Sequence, residues 1–181
     1  WGFNWLRQSW SIRRCDLSLG RLEPCKDNVG GITAVYFVNF DDLAYSDMTI
    51  TNEEITAVTG TISAYKYEVK GANTYDEANE NSRENGTSFW TQTGTIQLKS
   101  QSAASQKELK LMSYGRPKII VQYYNGDYRM AGAKNGCECA VSTASGSAMG
   151  DFNGYNIEFS GTEEGPALYA DISDFTVVVG T

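Results

Sequence analysis

Short runs of β-branched and aromatic residues, some alternating with polar positions at a period of two, recur along this chain and predict strands rather than helices. Ile32–Phe40 (ITAVYFVNF) is a run of β-branched and aromatic residues and reads as a strand. Thr61–Lys70 (TISAYKYEVK) sets Ile62, Ala64, Lys66, Glu68 and Lys70 against Ser63, Tyr65, Tyr67 and Val69, the signature of a strand with one wet face near its end. Thr87–Ser100 predicts a long strand with Gly94 as a bulge or bend. Ile119–Tyr124, Tyr128–Ala133 and Cys137–Thr143 are separated by Asn125-Gly126 and Asn135-Gly136. Asn-Gly between β-rich runs is a strong hairpin signal, because a type I′ turn needs positive φ at both central residues. These runs therefore predict a three-stranded antiparallel meander. Gly154–Gly161 and Asp174–Val179 complete a set of about eight strands.

Between the strands, Gln101–Ser113 carries good helix formers. Ser102 or Ser105 caps it, and Gly115 and Pro117 follow its end. Asp41–Asn52 is polar and turn-like, Glu53–Val58 fits a helical turn or a short strand, and Thr162–Ser173 reads as a loop. Gly71–Gly86 (GANTYDEANENSRENG) has few apolar residues and is long for a connection inside a compact domain, so it is expected to be a disordered or functional loop. The predicted organisation is an N-terminal arm and loop over residues 1–31, then one domain over 32–181 with a helix near 102–113. The fold class expected is mainly β: an antiparallel β-sandwich or barrel with one flanking α-helix. A second short helix is an option for Trp1–Arg14, where Trp1, Trp5 and Ile12 fall near one face.

Composition narrows the chemistry. The net charge of −7 argues against a general nucleic-acid binder, which carries a basic footprint. The signs are unevenly spread: Arg7, Arg13, Arg14, Arg21 and Lys26 lie in the first thirty residues, while Asp41–Glu84 is rich in acids. There is no histidine, which removes the commonest general base and the usual catalytic triad. Cys15, Cys25, Cys137 and Cys139 do not have the spacing of a structural zinc motif and are read as reduced thiols. No nucleotide-binding, metalloprotease or nucleophile-elbow motif is present. No catalytic, cofactor or metal residue is therefore assigned. No apolar run is long enough to span a bilayer, so no membrane insertion is expected. The opening residues lack the apolar centre of a secretory signal.

Several segments resemble small virion proteins of tailed bacteriophages of Bacteroidales, including crAss-like phages. They are Cys15–Gly31 (CDLSLGRLEPCKDNVGG), Ala64–Gly71 (AYKYEVKG), Ser82–Phe89 (SRENGTSF), Lys107–Pro117 (KELKLMSYGRP) and Ser145–Tyr155 (SGSAMGDFNGY). The family is similar to tail tube and tail hub proteins. The resemblance implies a β-sandwich or barrel assembled into homo-oligomeric rings that enclose the channel for DNA, at a tube, hub or connector station. It also implies partners: copies of this chain, other tail or head–tail connector proteins, and double-stranded DNA that passes without specific binding. The protein would sit in the virion and, during assembly, in the host cytoplasm. On this basis the meander would line the channel, and the N-terminal arm and the Gly71–Gly86 loop would bridge subunits. The candidate contacts are Trp5, Trp10, Arg13, Arg14, Tyr75, Arg83, Glu84 and Asn85. Two other readings remain open from the residues. The many tyrosines suit a carbohydrate- or receptor-binding β module of the tail, and the many acids suit a hydrolase built on a carboxylate pair.

Overall fold

The computed structural model describes residues 17 and 19–180. Trp5, Trp10, Arg13 and Arg14, and any helix over Trp1–Arg14, lie outside the described residues. The fold is mainly β, with two sheets and one flanking α-helix. In chain order the strands are β1 (Ile32–Val38), β2 (Met48–Thr51), β3 (Glu54–Val58), β4 (Ser63–Glu68), β5 (Thr74–Ser82) and β6 (Thr87–Lys99). Helix α1 (Ala103–Tyr114) follows. The remainder are β7 (Lys118–Tyr123), β8 (Tyr128–Ala131), β9 (Glu138–Ala144), β10 (Gly154–Glu163), β11 (Leu168–Tyr169) and β12 (Thr176–Val179). No helix among the described residues is long and apolar enough to cross a membrane.

The larger sheet has the order β12-β4-β1-β7-β8-β11-β3-β2, and the smaller one β5-β6-β10-β9. At the centre of the larger sheet, β1 and β7 bury side chains on both faces, which is why they read as unbroken apolar runs. One face contributes Ala34, Tyr36, Val38 and Ile120 to a core that also holds Ile62 and Phe175 from one end of the sheet and Met48 and Ile55 from the other. Both ends share one core, so the sheet is rolled into a barrel-like shape. The opposite face sets Val35, Phe37, Ile119 and Val121 against Ile96, Tyr155, Ile157 and Phe159 of the smaller sheet, with Leu109 of α1 beside them. Ser102 caps α1 by accepting from the Ser105 amide at 3.1 Å, and the Tyr155 hydroxyl donates to the Ser102 carbonyl. The helix start is thereby fastened to β10.

The structure corrects several expectations. Gly71–Gly86 is not a loop: Thr74–Ser82 is a nine-residue strand paired along its whole length with β6. Within Glu53–Val58, Glu54–Val58 is a strand, Met48–Thr51 forms its partner, and a two-residue strand lies inside Thr162–Ser173. Asn125-Gly126 does turn β7 into β8. Asn135-Gly136 makes no hairpin, because β8 and β9 belong to different sheets. Residues Gly132–Gly136 form the corner between them. The Gly132 amide donates to Gln92 Oε1 and the Asn135 amide to Glu163 Oε1, at 2.8 Å each. The positive φ that the dipeptide supplies is used here to pack Gly136 beneath the Arg116 carbonyl, where a Cβ would lie 2.5 Å from the oxygen.

Gly94 is neither bulge nor bend, since the pairing on both sides of β6 runs through it without a shift. Directly opposite it stand Tyr75 on β5 and Phe159 on β10. Their rings stack over the glycine with centroids 6.0 Å apart. A Cβ at Gly94 would lie 2.3 Å from the Phe159 ring. We expect Gly94→Val to cost about 2 kcal/mol through overpacking, read as a lower urea midpoint with an unchanged slope.

Lys118 is buried at the start of β7, 1% exposed. Its ammonium donates to the Leu43 carbonyl and lies 5.3 Å from the centre of the Phe40 ring. Burial lowers its pKa, partly opposed by Glu163 and Asp47. Between that lowered value and its ordinary 10.5, the unfolded chain binds the proton more tightly than the folded one, so this group's contribution to stability rises with pH. Unfolding of the parent and of Lys118→Met, followed from neutral pH to pH ~10.5, should show the parent gaining on the variant as pH rises.

Candidate functional site

The alternation of the smaller sheet puts its tyrosines, isoleucines and Phe159 inward and leaves an outer face in which hydroxyls and carboxylates predominate, with Phe89 and three alanines among them. One cross-strand row reads Asp76, Thr93, Ser160, Glu138, and the next reads Thr74, Thr95, Glu158, Ala140. Further along, Glu80 stands opposite Phe89, and Thr91 lies between Ala78 and Thr162. Asp76, Glu80, Glu138 and Glu158 are all exposed. The one cationic side chain among the described strand residues of this face is Lys99, at the far end of β6. A shallow concavity of about 410 Å³ lies among Asp76, Thr93, Glu138, Glu158 and Ser160. Carboxylates gathered on a wet face without neighbouring cations produce a negative field.

The β5–β6 hairpin reaches beyond the rest of this sheet. Strand β10 pairs with β6 only as far as Trp90, whereas β5 continues to Ser82 opposite Thr87. The predicted contact residues Arg83, Glu84 and Asn85 are brought together in its exposed turn, which Gly86 closes at φ 64°. The Asn85-Gly86 pair was the sequence signal for this hairpin.

Tyr75, the remaining predicted contact, is not at the tip. It is half-buried against Phe159, and its hydroxyl donates to Glu77 Oε1 at 2.7 Å. Burial, then the hydrogen bond and charge of Glu77, push the phenol far above its usual range. Glu77 also meets Arg129 Nη2 at 3.2 Å across the gap between the sheets, with side-chain exposures of 8% and 21%. The Ala167 amide donates to the same carboxylate, and Arg129 Nη2 donates to the Ala167 carbonyl at 2.9 Å. Arg129 stacks on Tyr169 at 5.1 Å, and its Nε is buried without a partner. Tyr75, Trp90, Tyr123, Arg129 and Pro166 surround a recess of about 420 Å³ here. Sequence reasoning missed this cluster, because an isolated Glu and Arg 52 positions apart carry no local signal.

Cys137 and Cys139 both face the core between the sheets. Burial pushes the Cys139 thiol up to about 12 and raises Cys137 further. Burial thus disfavours the reactive thiolate at both positions. Among the described residues no three acidic, cysteine or histidine side chains cluster in a way that would hold a metal ion. In comparisons with known proteins, no family model, no curated protein and no solved structure matches this chain.

The Glu77–Arg129 pair predicts a stability effect. Removing Glu77 leaves Arg129 half-buried without its counter-charge, and the Tyr75 hydroxyl and Ala167 amide without their acceptor, so Glu77→Ala should cost about 2 kcal/mol. Arg83→Ala, at the exposed tip, should change stability by less than about 0.5 kcal/mol. Urea unfolding of both variants checks the contrast.

Proposed function

We propose that this chain is a structural virion protein of a tailed bacteriophage, a subunit of rings that enclose the channel through which DNA passes. Its station would be the tail tube, the hub or a connector ring. One observation carries the reading: a broad sheet face bearing Asp76, Glu80, Glu138 and Glu158 among hydroxyls, with no base until Lys99 at its end. Turned towards a bore, such a face repels phosphates and stays hydrated. A basic bore would release counterions from DNA and hold it fast. The bore-facing surface is thus the smaller sheet and not the β7–β8 hairpin, because β7 is buried on both of its faces. The exposed turn at Arg83–Asn85 is free to meet a neighbouring subunit, as ring closure by head-to-tail contacts requires.

A second reading has an observation of its own. The recess with Trp90, Tyr123 and the half-buried Arg129 combines aromatic rings with polar groups, a lining that suits a sugar ring. In that case the chain is a receptor-binding module of the tail.

The test is the mass of the purified protein in solution, with negative-stain images of the same sample. The ring reading expects closed rings or tubes with a hole of roughly 20 Å or more, the width of a duplex. Such rings should not retain duplex DNA. Rings carrying Asp76→Lys, Glu138→Lys and Glu158→Lys should retain it, with a steep loss of binding on adding salt. A stable monomer that binds glycans, and loses them in Trp90→Ala, would overturn the ring reading in favour of the second.

A further inference from the structure

Four described strands form the sheet edges, and two of them carry groups that discourage strand addition: β5 has Asp76, Glu77 and Glu80, and β9 has Glu138 and runs beside α1. Strands β2 and β12 are four residues each and carry no charge; β2 turns Met48 and Ile50 to the core and exposes threonines, whereas β12 exposes valines. The sequence of β12 is TVVV, among the described residues it pairs with β4 on one side only, and Val177, Val178 and Val179 are 39%, 39% and 66% exposed. An open, uncharged, β-branched edge is a template for another strand.

The surface beside that edge is also apolar. Val178 stands level with Tyr65 on β4, and Tyr65 opens into a groove of about 680 Å³ with Phe37, Phe40, Leu111 and Met112. Asp41, Asp42 and Glu108 rim the groove against a single base, Arg116. Such a lining is complementary to a segment that carries apolar and cationic side chains.

The chain carries a segment of that character. Residues 19–30 form no helix or strand and bury no side chain. Leu17, Leu19 and Leu22 are 97%, 88% and 91% exposed, so the isolated subunit leaves three leucines in water. In an extended segment Leu17 and Leu19 share a face. Residues 1–22 contain four arginines and one acid, Asp16. The arm departs beside the β7–β8 turn, where the Tyr124 amide donates to the Gly31 carbonyl. The groove lies towards the other end of β1, at Phe37–Phe40.

We propose that the leucine arm of one copy docks on the β12 edge and the adjoining groove of a second copy. Leu17, Leu19 and Leu22 supply the apolar contacts, and Arg21 and its upstream arginines face Asp41, Asp42 and Glu108. The contact is head-to-tail, because donor and acceptor are different surfaces of the same chain. It rests on the ring reading above and specifies the joint between its subunits.

The test uses two full-length variants. The first, Leu17→Ser with Leu19→Ser and Leu22→Ser, keeps the acceptor and loses the donor. The second, Val178→Lys with Val179→Lys, keeps the donor and charges the acceptor. Each alone should run as a monomer by light scattering, with an unchanged circular dichroism spectrum. An equimolar mixture should yield a species of twice the monomer mass. Synthetic residues 13–24 added in excess should dissolve that species. If each variant alone still forms the parent's rings, the arm joint is overturned while the ring reading stands. If the mixture pairs but the parent never closes into rings, the joint stands and the ring reading falls. If both variants fold and their mixture stays monomeric, the joint is overturned.

Discussion

Two adjacent strands, β1 and β7, have no wet face, and the rest of the molecule follows from that constraint. A strand apolar on both sides needs a cover on each. The larger sheet supplies one cover by curving until Phe175 and Met48, from opposite ends of its order, belong to the same core as Tyr36 and Ile120. The smaller sheet and α1 supply the other, over Val35, Phe37, Ile119 and Val121. Since the smaller sheet has only one dry face to give, its outer face is left to water. The acidic surface is thus a by-product of where the core had to be closed, and the sequence fills it with carboxylates and hydroxyls.

The cover is held at its margins by polar contacts. At one margin Gln92 and Glu163 bind the amides of the Gly132–Gly136 corner. At another, Glu77 and Arg129 join β5 to β8 and to the Ala167 backbone. Buried or half-buried charges of this kind add little net stability when satisfied, but they penalise a slipped register heavily. Strand β5 needs such a device more than any other strand, because its tip has no apolar residues to fix which face points inward.

The strands with a strong apolar signal were readable from the residues: β1, β4 and β6 fall within their expected spans, while β7, β10 and α1, with its Ser102 cap, overrun theirs by one or two residues at one end. Strand β5 was hidden because its inward positions are Tyr75, Glu77, Asn79 and Asn81, so the period of two carries almost no hydrophobic signal. Gly94 suggested a kink because glycine in a strand usually marks one. Its reason is lateral, two aromatic rings from neighbouring strands, and cross-strand neighbours are not visible in a linear sequence. The same blindness applies to the candidate surface. Asp76, Glu138 and Glu158 are far apart along the chain and become one field only through the β5-β6-β10-β9 order. The exposed turn at Arg83–Asn85 was foreseen as an exposed polar segment, though not as the end of a hairpin.

The parallel pairing of β12 with β4 also bears on the order of events in synthesis. Strand β4 is made early, yet one of its edges stays open until β12 emerges, some 113 positions later by the Thr176–Ser63 pairing. Contacts of such long sequence separation are slow to form, because the chain between them must be ordered first. Of the described strands, β12 is the last to leave the ribosome, and it is also the one that bears the open apolar edge. A nascent chain therefore cannot display that edge before the remainder of the sheet exists to support it. Until then the open edge belongs to β4, where Lys66 and Glu68 place charges among the tyrosines, so the valine edge appears only once the sheet beneath it is complete.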